Sequence, residues 1–220
     1  MSAVCHRYQG DCEAALGMLE RLKSLHPEHG RAYQEEGHNY RDLGRADDAL
    51  RAYSRACRFN PALEASWRGQ LAILGSRGQH AQAAQIQAQL DRLGALPKPL
   101  LAVTDLIAQG RILKAEDICR QFLKKVPHHV EGMRLLAGIG SRLGVLDDAE
   151  LLLESAARLE PDNVQVRIDY IQVLRKRQKF ERAREEAQRL LQTSPDNPQF
   201  LSLYAFEVRV PGSPGSFAST

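Results

Sequence analysis

Aromatic residues are scarce in this chain of 220 residues, at 6%, and tryptophan occurs once, as Trp67. With 43% hydrophobic residues there is enough apolar material for a continuous repeat core, but not for two large globular domains. Charge of one sign is also missing. The formal net charge is +3, from 30 basic and 27 acidic residues, too balanced to imply nucleic acid or an anionic membrane as partner. No apolar run approaches the roughly 20 residues of a membrane helix, and the N-terminus has no long apolar core for export. Both absences point to the cytoplasm. The cysteines, Cys5, Cys12, Cys57 and Cys119, are scattered without a CxxC pair. That pattern fits small buried apolar residues in a reducing compartment, and the spacing to His6 or His26 is wrong for zinc. No strand-like run precedes a glycine cluster, so no phosphate cradle is expected. No Ser/His/Asp or Cys/His arrangement is recognisable. The expectation is a non-enzyme with no catalytic residue, no cofactor and no metal.

What the chain does have is a period. Alanine recurs at Ala15, Ala49, Ala83, Ala115, Ala149 and Ala183, in steps of 34 residues with one step of 32. A glycine precedes the first five of these alanines by five residues, at Gly10, Gly44, Gly78, Gly110 and Gly144; Gln178 breaks the series. Prolines follow most of the alanines, at Pro27, Pro61, Pro127, Pro161 and Pro195. Glycine in the left-handed region ends a first helix. Alanine lets a second helix cross the first closely, and proline stops the second helix from continuing. The acidic starts Asp47-Asp48 and Asp147-Asp148 suit helix N-termini, which explains them without acid–base chemistry. A small residue, a turn glycine and a closing proline in fixed phase predict an all-α, right-handed α-solenoid of antiparallel helix pairs.

These marks resemble the tetratricopeptide repeat. The best unit runs Ala32-Tyr33, Gly37, Tyr40, Gly44, Ala49, Tyr53, Ala56 and Pro61; the next opens with Trp67 but has Ala95 in place of its closing proline. The resemblance spans about residues 3–208 and implies a protein- or peptide-binding scaffold that uses its concave face. Residues 96–200 also resemble the repeat region that precedes a sulfotransferase domain in some bacterial proteins. Stretches such as Val126-Pro127-His128-His129 and Ile168-Asp169-Tyr170-Ile171 carry that likeness. It implies, as an alternative, a substrate-recruiting region whose catalytic half lies elsewhere.

The domain reading is one array over 1–208, about six units with a truncated first one and a single capping helix near Gln199–Val208. Residues 209–220, with Pro211-Gly212-Ser213-Pro214-Gly215-Ser216, read as a disordered tail. The second helix of the first unit is expected from about Asp11 to Leu25.

In stacked hairpins the first helices line the inner curve. Their outward positions give Gln34, His38, Arg41, Arg68, Leu100, Thr104, Ile107, Arg134, Gln172 and Arg175 as candidate contact residues. Spaced arginines around an apolar middle suggest an acidic segment with an apolar centre as partner. His26, His29, His128 and His129 read as residues of solvated loops. The basic run Arg175-Lys176-Arg177-Gln178-Lys179 reads as a helix C-terminus complementing its dipole.

Overall fold

In the computed structural model, which describes residues 3–209, every regular element is helical. Thirteen helices appear among these residues. They are α1 (Ala3–Tyr8), α2 (Cys12–Leu25), α3 (Gly30–Asp42), α4 (Ala46–Phe59), α5 (Glu64–Ser76), α6 (His80–Ala95), α7 (Lys98–Ala108), α8 (Ile112–Lys125), α9 (Val130–Leu143), α10 (Leu146–Leu159), α11 (Val164–Lys176), α12 (Phe180–Thr193) and α13 (Pro198–Arg209). The tail expected over 209–220 lies, past Arg209, outside the described residues. The fold divides into two compact units, Met1–Ala115 and Glu116–Thr220, with the boundary inside α8.

The punctuation works as its chemistry requires. Gly10, Gly44, Gly78, Gly110 and Gly144 all have φ between +68° and +81°, closing the first helix of each pair. Gln178 takes the same left-handed conformation with φ +59° and so carries strain that glycine would not. Second helices end two residues before Pro27, Pro61, Pro127, Pro161 and Pro195. A further contact recurs six residues after these prolines. Tyr33 Oη and Trp67 Nε1 each donate to the proline carbonyl at 2.9 Å, and Arg167 donates to that of Pro161. Trp67 is therefore half-buried with its ring nitrogen satisfied, rather than sunk in the core.

In the first unit, Tyr53 of α4 is fully buried between two glycines. A Cβ on Gly37 of α3 would lie 2.5 Å from the ring, and one on Gly69 of α5 also 2.5 Å from it. Only a bare backbone lets both helices approach the ring this closely. Ala15 and Ala49 are fully buried, as the period predicts, but Ala83 is only half-buried and α6 buries none of its residues. The α6 sequence explains this: it is rich in alanine and glutamine, and its larger apolar residues, Ile86, Leu90 and Leu93, are all partly exposed. The 32-residue step of the period falls next to it. α7 is tied instead to α3 and the end of α4: Asp105 accepts from Arg31 at 2.9 Å and from Asn60 at 2.7 Å. Burial opposes ionisation of Asp105, but these bonds and one from Gln109 outweigh it and hold the carboxyl below its ordinary value.

In the second unit one apolar core runs through α9 to α13, from Val130, Met133 and Ala137 through Leu153, Tyr170 and Leu174 to Leu190 and Phe200. Ala149 and Ala183 sit fully buried within it.

Glycine substitutions test this packing. Gly37→Ala and Gly69→Ala should each lower stability by about 1–3 kcal/mol, the cost of overpacking exceeding the helix-propensity gain. Gly17→Ala, on the open face of α2 with nothing near its Cβ, should raise stability by up to about 1 kcal/mol. Gln178→Gly should raise it by about 0.5–1 kcal/mol through relief of its backbone strain. Chemical denaturation of the four variants measures all of these; loss of stability in Gly17→Ala, or none in Gly69→Ala, contradicts the packing described.

Candidate functional surfaces

Side-chain caps fix where several helices begin. Asp11 accepts from the amide of Ala14, His29 Nδ1 from Ala32, His129 Nδ1 from Gly132, and Asn163 from Val166, at 3.1–3.2 Å. His29 and His129 therefore do more than line solvated loops: each ring nitrogen replaces a missing helix acceptor. His26 and His128 are exposed.

The ten candidate contact residues fall into two groups, seven in the first unit and three in the second. On α3, Gln34, His38 and Arg41 occupy successive turns. Gln34 is half-buried and accepts from Ser66 of α5 at 3.2 Å, which places Arg68 on the neighbouring helix. His38 is half-buried, with Nδ1 2.7 Å from the hydroxyl of Tyr53. Its pKa lies below the ordinary 6.5; burial is the main cause, with Arg41 and Arg7 adding to it against Glu35 and Asp42. Burial likewise pushes the Tyr53 hydroxyl up. The Arg41 and Arg68 side chains are 51% and 70% exposed. Each is already paired, with Asp42 and Glu64, at 2.9 Å. On α7, Leu100 is fully buried and so cannot form part of an open apolar middle, while Thr104 donates to the Leu100 carbonyl at 3.1 Å and Ile107 is half-buried.

In the second unit, Arg134 is held by Glu131 at 2.7 Å and by Asp169 of α11 at 2.8 Å. These bonds raise its pKa although burial works the other way. Gln172 is exposed. The Arg175 guanidinium lies 3.9 Å above the ring of Phe206 on α13, and Phe206 is 50% exposed. The spaced arginines thus lean on acidic or aromatic neighbours.

The basic run is likewise engaged. Lys179 and Arg182 reach the buried carboxylate of Glu150 at 2.8 Å, Arg177 joins them, and Lys176 donates to Ser141 at 2.7 Å. The Glu150 carboxyl stays below its ordinary value because this cationic ring overcomes the burial penalty. Phe206, Gly69 and the Glu150 ring escape sequence reasoning, since none is marked by the period. Among the described residues no group of His, Cys, Asp and Glu is placed to hold a metal ion, and no helix is long and apolar enough to cross a membrane.

Helical hairpins in fixed phase, with first-helix faces left open, define a helical-repeat protein. Two family models described as tetratricopeptide repeat match the chain, one over residues 3–64 and 100–163 and the other over 142–205. Together the two segments of the first model exceed half its length, and the chain belongs to the tetratricopeptide repeat family. Residues 65–99, outside both models, contain α6. The matches concern the repeat itself and do not bear on the likeness to sulfotransferase-associated repeats. No curated protein matches the chain.

Solved structures of similar architecture include YrrB, described as a repeat protein with an unusual peptide-binding site, at 12% identity and TM-score 0.44, covering 87% of this chain and 98% of that one. A tetratricopeptide repeat protein from Parabacteroides merdae is 14% identical with TM-score 0.47, covering 94% of this chain and 81% of that one. A chain of the APC/C hetero-tetramer Cut9-Hcn1 is 17% identical with TM-score 0.45; the match covers 96% of this chain but only 43% of that one.

The His38 environment gives a pH test. Above 6.5 the imidazole is neutral in both the folded and unfolded chain. Below 6.5, down to its depressed folded value, the unfolded chain binds a proton that the folded one refuses, so stability falls as pH falls. His38→Gln removes this contribution. The stability of wild type relative to His38→Gln should decline on acidification below 6.5; parallel curves contradict the buried, neutral His38.

Proposed function

We propose that this chain is a non-enzymatic protein-binding module, and that its second unit receives a partner on the face of α11 and α13. The observation that carries this reading is Phe206, a large apolar ring left half exposed beneath Arg175, with Gln172 one turn away on α11. A rigid aromatic backed by a guanidinium supplies contact area at little entropic cost, and such residues dominate binding energy in protein interfaces. Arg134 and Asp169, locked together, hold the neighbouring α9 and α11 in register. In the first unit, Gln34, Arg41 and Arg68 form the corresponding first-helix face, with His38 anchored below by Tyr53. The proposed partner is a protein or peptide that offers an apolar side chain to Phe206; an acidic character is not part of the proposal. The reading also keeps the cytoplasm as compartment. Burial pushes the thiol pKa values of Cys57 and Cys119 up to about 12 and about 11, so that they stay protonated and inert.

Probing a peptide array with the full chain, then measuring the best binder by fluorescence anisotropy, tests the proposal. Phe206→Ala should weaken binding by about tenfold or more, and Arg175→Ala by less. Circular dichroism confirms that each variant remains helical. Equal affinity of wild type and Phe206→Ala overturns the assignment of this face.

A further inference from the structure

The second unit has a cavity of about 190 Å³ on the side of its second helices, away from the residues proposed above. α8 contributes Glu116 and Arg120, α9 contributes Leu136 and Gly140, and α10 contributes Asp148, Ala149, Leu151 and Leu152. Gly140 brings no side chain to the floor of the cavity, where the other repeats hold His6, Tyr40, Leu74, Leu106 and Leu174. It also lets α10 approach α9 closely: a Cβ on Gly140 would lie 3.2 Å from the Val145 carbonyl and 3.7 Å from the Ala149 Cβ. Beside the charged Glu116, Arg120 and Asp148, the lining includes Leu151, which stands 65% exposed, and Val145, which is also exposed. An engineered apolar cavity of about 150 Å³ accommodates benzene, so this one has room for a leucine or phenylalanine side chain.

The charges at the rim are unequal. Glu116 and Arg120 neutralise one another at 2.8 Å, whereas Asp148 is exposed, in the first turn of α10, and pairs with no basic side chain among the described residues. The equivalent groove of the first unit differs in kind. It is lined by Glu36, Tyr40, Asp48, Arg51 and Arg55, and its acids are taken up by Lys23, Arg45 and Arg51. Of these two grooves, the second-unit one offers apolar depth beside a carboxylate that pairs with no basic side chain among the described residues.

We infer that this groove is a second docking site, which takes a leucine or phenylalanine side chain from a partner segment carrying an adjacent lysine or arginine for Asp148. Burial of the apolar side chain supplies the affinity, and the Asp148 contact orients the segment and selects against acidic neighbours. The site is independent of Phe206.

The test titrates the isotope-labelled full chain with a short lysine–leucine amphipathic peptide, following amide shifts. The expected result is saturable shifts at Gly140, Val145, Asp148 and Leu151. Leu151→Glu, a change at an exposed position, should weaken binding at least tenfold, Asp148→Asn should weaken it several-fold and flatten its salt dependence, and Phe206→Ala should leave it unchanged. Gly140→Leu should abolish it by filling the floor; because a Cβ there would come within 3.2 Å of the Val145 carbonyl, Leu151→Glu is the deciding variant. Unchanged affinity in Leu151→Glu, equal binding of a peptide with glutamate in place of lysine, or shifts confined to the α11–α13 face would each overturn the inference. So would a dimer, seen by sedimentation, that Leu151→Glu dissolves, since the occupant would then be a second copy.

Discussion

The ring of Tyr53 is gripped by two helices that carry no side chain where it lies. Gly37 and Gly69 let α3 and α5 close on the two edges of the ring, Gly37 against Cδ1 and Cε1 and Gly69 against Cε2 and Cζ, and its hydroxyl reaches back to His38 on α3. Each part depends on the others. A methyl group on either glycine would push a helix off the ring, and a smaller residue at 53 would leave a cavity between bare backbones. His38 must stay neutral in its half-buried place, so the surface of α3 is set by the core beneath it. The packing of α3, α4 and α5 is thus organised around one aromatic residue, in a chain that has few.

The second unit solves the same problem with a mostly aliphatic core and with charge. Leu153, Tyr170, Leu174 and Leu190 fill its core, and the Glu150 carboxylate gathers Arg177, Lys179 and Arg182 at the turn between α11 and α12. That ring holds α10 against α11 and α12 where the repeat has Gln178 instead of glycine. Loss of Glu150 would leave three clustered cations without their shared buried partner, whereas loss of one cation leaves the carboxylate two others. α6 lies at the other extreme. It has neither a large buried side chain nor an ionic anchor, and its residues fall in the stretch that the family models leave unmatched.

Much of the fold was legible because the repeat marks are local. Gly44 and Gly144 had to be turn residues, and the helices had to stop before Pro61 and Pro161, whatever they packed against. Ala83 shows the limit: it keeps the phase but not the burial, since burial depends on what α6 offers its neighbours. The candidate surface was less legible for the same reason. Outward positions can be counted along a helix, yet whether Arg134 is available depends on Asp169, thirty-five residues further on. Leu100 was placed on an open face, and the structure buries it. Phe206 and the groove beside Gly140 become visible only when neighbouring helices are set side by side.

Hydrogen exchange followed by mass spectrometry on the intact chain tests the central claim, that packing strength is concentrated at Tyr53 and in the α9–α12 core and is absent from α6. The account predicts slow exchange in α4 and in α10 to α12, with α6 exchanging far faster than either. Protection of α6 equal to that of α4 would contradict it.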